Sequence, residues 1–114
     1  MGGMIATVEE RCALRRDVLG HVGNKWTGLV LTALAEGPQR YSELHQGSRI
    51  SERMLSLTLR ELIRDGLVRR DAQTYRLSDA GRSLYALVAP LIEWADAHQE
   101  HIVGSRVAFD SGAQ

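Results

Sequence analysis

From Ser51 to Gly66 the chain places leucines and arginines at a spacing that an α-helix sorts onto two separate faces. At about 100° per residue, Met54, Leu55, Thr58, Leu59 and Leu62 fall within an arc of roughly 140°. Arg53, Arg60 and Arg64 gather within about 40° of one another on the opposite side. Ser56 and Leu57 flank the arginines, and Glu52 and Glu61 mark the two edges. Ser51 is suited to cap the start, and Gly66 stands where a left-handed residue ends a helix. Such a helix must sink its leucines in a core and show its guanidinium groups outside.

The flanking segments supply that core. Helical spacing predicts a helix from about Arg11 to Val22, ended by Gly23-Asn24, and a second from Lys25 to Ala35, stopped by Gly37-Pro38. A short third helix is expected over Ser42–Gln46 with Ser42 as its cap, then a turn at Gly47-Ser48-Arg49. Leu67–Asp71 and Thr74–Leu77 alternate about Ala72-Gln73 as a β-hairpin. Ser78 opens a long last helix reaching about Ile102, which Pro90 is expected to kink. Residues 1–10 and 103–114 read as flexible ends, and residues 11–102 as one folded domain. With 114 residues there is room for one modest core. The fold class is therefore mainly α with a small β-hairpin: a helix-turn-helix followed by a wing.

Net charge is zero, but the charge is unevenly placed. Residues 40–76 carry eight arginines against five acids, whereas residues 77–114 carry two basic groups against five acids. A basic middle with no lysine suits bidentate contact with phosphates and base edges. A major groove about 12 Å wide admits such a helix. Arg53, in the first turn beside Ser51, is the candidate for a guanine edge; Arg60 and Arg64 are placed for phosphates, with Ser56 and Leu57 between them. Arg40, Ser42 and Arg49 border the preceding helix and turn and join them as candidates. Arg69, Arg70 and Arg76 on the hairpin either extend this surface or are ordinary edge-strand charge. Nothing in the sequence points to an enzyme: it holds no nucleophile elbow, Gly-rich phosphate loop or metal-ligand cluster, and no cofactor is expected. A protein-binding module that never touches DNA is the alternative reading.

Val22-Gly-Asn-Lys-Trp26 resembles the G-x-K-W signature of HxlR-type regulators. Gly37-Pro-Gln-Arg-Tyr-Ser-Glu-Leu44, Ile50-Ser-Glu-Arg-Met-Leu55, Leu59-Arg-Glu-Leu62, Asp65-Gly-Leu-Val68, Tyr75-Arg-Leu-Ser78, Gly81-Arg-Ser-Leu84 and Glu93-Trp94 follow in that family's order. The resemblance implies a MarR-like winged helix that binds double-stranded DNA as a homodimer, often as a repressor. It also implies, for some members, sensing of electrophiles or oxidants through an N-terminal cysteine. The chain departs from the family pattern in a shorter turn before Ile50 and a wing without a Pro-rich arm. Cys12 also lacks the usual following proline.

The last helix is apolar over half its circumference, through Leu84, Leu87, Val88, Leu91, Ile92 and Trp94. That is more than one neighbour covers, so a two-fold dimer through this helix and the first is expected, together with a near-palindromic operator. Cys12 has Arg15 and Arg16 on its helical face, which favours the thiolate. It reads either as a sensor or as an inert small residue in the interface. His98 and His101 lack companions at ligand spacing and read as surface side chains. No apolar run approaches the roughly 20 residues of a membrane span, and Met1–Glu10 shows no secretory pattern, so the cytoplasm is the expected compartment.

Overall fold

Asn24 ends one helix and begins the next. Its backbone N–H donates to the His21 carbonyl at 3.2 Å, while its side-chain oxygen accepts from Trp26 N at 2.8 Å and Thr27 N at 3.3 Å. The computed structural model describes residues 7–112. Along them run α1 (Val8–Gly23), α2 (Lys25–Ala35), β1 (Gln39–Arg40), α3 (Tyr41–Ser48) and α4 (Glu52–Arg64). The hairpin strands β2 (Val68–Asp71) and β3 (Thr74–Leu77) follow, then α5 (Asp79–Ala97) and α6 (Gln99–Asp110). The architecture is a mainly helical winged helix-turn-helix with a small antiparallel sheet.

Helix α2 is the centre of the core. Its Val30, Leu31 and Leu34 are buried with Leu44 of α3, Leu55, Leu59 and Leu62 of α4, and Val68 and Leu77 of the hairpin. α2 packs on α1, α3, α4, α5 and β3 at once, so the core is built around it. The α4 wheel is oriented as its periodicity demands: Leu55, Thr58, Leu59 and Leu62 are buried, Met54 is half-buried, and all three arginines are exposed.

The wing closes onto this core at one tight point. The Ser78 hydroxyl donates to the Gly66 carbonyl at 2.6 Å and accepts from Gly81 N at 3.0 Å. A Cβ on Gly81 would stand 2.0 Å from the Leu67 carbonyl oxygen, so only glycine permits this approach. Gly66, with φ of 74°, takes the left-handed turn expected of it.

Several local expectations change. The first helix starts earlier, at Val8, because the Thr7 hydroxyl accepts from Glu10 N at 3.1 Å; residues 1–6 lie outside the described residues. The third helix is longer, and its cap is Arg40 and not Ser42, which lies inside the first turn. There Glu43 folds back so that its carboxylate accepts from Arg40 N at 2.7 Å. Gln39-Arg40 adds a third strand, giving the order β1-β3-β2, with Gln39 opposite Tyr75 and Arg40 opposite Thr74. The last helix continues through Pro90 and is interrupted at His98 instead. From Val103 to Asp110, expected to fray, the chain is helical as α6.

Candidate nucleic-acid interface

The turn between α3 and α4 is set by short local bonds. Ser48 Oγ donates to the Leu44 carbonyl at 2.6 Å, and Arg49 adopts a left-handed φ of 59° that ends α3. Ile50 then plugs into the core, and the Ser51 hydroxyl accepts from Met54 N at 3.2 Å to open α4. The Tyr41 hydroxyl donates to the Glu52 carbonyl at 3.1 Å and meets the Ser56 hydroxyl at 3.0 Å. With the tyrosine proton directed at Glu52, the serine hydroxyl supplies the proton of the second bond. Ser56, a contact candidate, is therefore already engaged within the subunit. Tyr41 was not among the site candidates; its only sequence signal is a tyrosine at a helix start with a helix-turn-helix register ahead of it.

Arg53 and Arg60 are exposed on α4 and enter no ion pair among the described residues. Arg40, Ser42, Arg49 and Leu57 are exposed nearby in the chain. Arg60 and Arg70 line one recess of about 250 Å³ between α4 and the wing, floored by Tyr41, Leu59 and Tyr75. The Arg70 guanidinium lies over the Tyr75 ring, 5.5 Å from its centroid. That contact holds a cation at the joint of helix and wing without neutralising it.

Arg64 and Arg76 differ, because each is paired within the subunit. Arg64 Nε donates to Asp65 Oδ1 at 3.0 Å and Nη2 donates to Oδ2 at 3.3 Å. Arg76 is bonded to Asp71, which relieves its position opposite Arg69 in the hairpin. Asp65 also meets the buried imidazole of His21 at 2.6 Å. The Arg64 guanidinium, and then His21, hold the Asp65 carboxyl below the usual carboxylate range, and Asp65 in turn raises the Arg64 pKa. Sequence reading missed His21, whose partner lies far along the chain.

The apolar candidates on α5 divide into two groups. Val88 is a correction to the expected dimer surface: it is 2% exposed, buried in its own subunit. Leu84 is half-buried against the same core. Leu87, Leu91, Ile92 and Trp94 are exposed, as are Val103, Val107 and Phe109 on α6 and Leu14, Val18 and Leu19 on α1. A recess of about 920 Å³ runs between α2, α3 and α5 past Leu29, Ala33, Leu44 and Ile92, and none of the α4 arginines lines it.

Cys12 is exposed in the second turn of α1, which starts at Val8. His98 stacks on Trp94, ring centroids 4.1 Å apart. No group of three metal-ligating side chains occurs among the described residues, and none of their helices is long and apolar enough to cross a membrane.

Residues 21–103, which carry the helix, turn and arginine-faced helix, match a family model described as HxlR-like helix-turn-helix. The chain belongs to the HxlR-like helix-turn-helix family. It is 33% identical over 89 residues to YdeP of Bacillus subtilis, named an uncharacterized HTH-type transcriptional regulator, covering 71% of this chain and 70% of that one. Among solved structures, the putative transcriptional regulator ytfH from Salmonella typhimurium superposes with a TM-score of 0.69 at 30% identity, over 81% of this chain and 89% of that one. Quinone-bound YodB from B. subtilis superposes with a TM-score of 0.68 at 31% identity, over 75% and 99%. In this HxlR-like chain, the matched span holds α2 through α5 whole and leaves Cys12 outside.

Proposed function

We propose that this HxlR-like protein is a transcriptional regulator that binds double-stranded DNA as a homodimer, with α4 in the major groove. The observation that carries the reading is that Arg53 and Arg60 are exposed, with no acid paired to them among the described residues, on a helix whose other face is buried. Arg53 contacts a base edge; Arg60 and Arg70, sharing one recess, contact phosphates on either side of the joint. Arg40, Ser42, Arg49, Ser51, Ser56 and Leu57 frame that contact, and Arg64 and Arg76 join it after leaving their carboxylates. The regulator acts as a repressor, the sign the family resemblance implies.

The second copy covers Leu87, Leu91, Ile92 and Trp94 together with the exposed apolar residues of α1 and α6. A two-fold pair sets its two α4 helices about 34 Å apart, one turn of DNA, and reads a near-palindromic operator. Sedimentation velocity of wild type and Trp94→Glu checks the pair: a dimer that the charge converts to monomer is the expected result.

Selection of bound duplexes from a random pool, followed by titration in rising salt, tests the DNA reading. Log affinity should fall linearly with log salt as phosphate-bound cations are released. An affinity indifferent to salt, or no enrichment of any duplex, would favour a protein-binding module instead.

Cys12 supports a redox- or electrophile-responsive reading, since its thiol is exposed on α1 and the similar YodB was solved with quinone bound. Quinone treatment is expected to weaken operator binding by wild type and to leave Cys12→Ser unchanged. Equal responses would assign the effect elsewhere.

A further inference from the structure

His21 is 7% exposed, yet its Nε2 lies 2.6 Å from Asp65 Oδ2, joining α1 to the residue that ends α4. The same carboxylate accepts two bonds from Arg64, whose side chain is 65% exposed. One buried imidazole thus shares its one charged partner among the described residues with a guanidinium on the proposed DNA-facing helix. The groups around the imidazole are Arg16 and Asp17 of α1 and Glu61 and Arg64 of α4; Asn24, at the junction with α2, carries no charge.

We propose that His21 is a positioning residue for Arg64, and that its protonation makes DNA binding proton-linked. This inference rests on the DNA-binding reading above. With a neutral imidazole, Asp65 keeps its full charge for Arg64 and holds it on the protein. An imidazolium makes a charge-assisted bond to the same oxygen and competes for that charge, so Arg64 is freed to turn toward a phosphate. When DNA takes Arg64 away, His21 becomes the remaining partner of Asp65 and holds the carboxylate best when protonated. DNA binding therefore takes up a proton, and affinity rises as pH falls. Arg64 first, and then His21, favour the charged form of Asp65.

The experiment is calorimetric titration of the selected duplex at about pH 7 in two buffers of different ionisation enthalpy, which counts protons taken up. Wild type is expected to take up a fraction of a proton per subunit, and His21→Gln, which keeps a donor but cannot ionise, to take up measurably less. Equal uptake by the two proteins overturns the proposal. Asp65→Asn, which keeps the shape and removes the shared charge, should lose the same share; unchanged uptake there also overturns it. A second readout needs no DNA. The Arg64 Nε–Hε NMR signal of the free protein should move with the His21 titration and stand still in His21→Gln. If that signal follows His21 but no duplex binds, the DNA reading fails and the coupling stands. If duplex binds and the signal ignores His21, the coupling alone fails.

Discussion

The hydroxyls of Tyr41 and Ser56 lie 3.0 Å apart, tying the first residue of α3 to the arginine-bearing helix α4. The same tyrosine bonds the Glu52 carbonyl, so the angle between the two helices is held at the helix start and not only through the leucines behind it. Tyr41→Phe keeps the ring and removes both bonds. A loss of about 0.5–1.5 kcal/mol in urea unfolding is expected, since each bond is partly replaced by water. An unchanged midpoint would show that the tie adds nothing to stability.

Arg53 and Arg60 are expected to fail differently. Arg53→Ala should cost about 1–3 kcal/mol at one operator position and relax the base preference there. Arg60→Ala should weaken binding evenly across sequences and reduce the salt slope by about one. Competition binding against single-base operator variants separates the two; an even loss in Arg53→Ala would make it a phosphate contact.

Gly81 and Gly20 make a pair of opposite sign. An alanine at 81 must push back the Leu67 carbonyl, which belongs to backbone and yields poorly, so about 1–3 kcal/mol of stability should be lost. An alanine at 20 meets nothing within 4 Å and sits inside α1, so stability should rise by about 0.5–1 kcal/mol. Thermal melts of both variants check the signs.

Acid should loosen the end of α4 through Asp65. Its folded-state pKa is depressed, by Arg64 first and His21 second. The stabilisation is therefore complete above the unfolded carboxylate value of about 3.9 and is lost as pH falls below it toward the lower folded value. Asp65→Asn should flatten that part of the stability-against-pH curve measured by denaturant titration. A mutant curve parallel to wild type would remove Asp65 from the account.

The central domain was legible because its signals are local. The Ser51 cap, the leucine arc of α4, the turn at Gly66 and the two hairpin strands each depend on residues within a few positions of one another, and all four are found, the first strand starting at Val68 and not Leu67. The family was legible for the same reason: short motifs kept in order along one chain. The third strand was not, since a two-residue strand has no period and Gln39-Arg40 becomes one only when Tyr75 and Thr74 lie alongside. The α6 helix was missed because Gly104-Ser105 stands in its middle, although Val103 and Val107 lie at helical spacing on either side.

The amino-acid sequence alone determined which residues α4 buries and which it shows, because a helix turns by a constant angle and water sorts the faces. It could not decide which exposed arginines are free. That depended on whether a carboxylate from another part of the fold comes within bonding distance, and only the tertiary structure sets Asp65 between Arg64 and His21 and leaves Arg53 and Arg60 without an acid among the described residues. Nor could periodicity tell Val88 from Leu87 or Leu91 on one broad apolar helix. Burial is a property of what lies opposite, and α2 lies opposite part of α5.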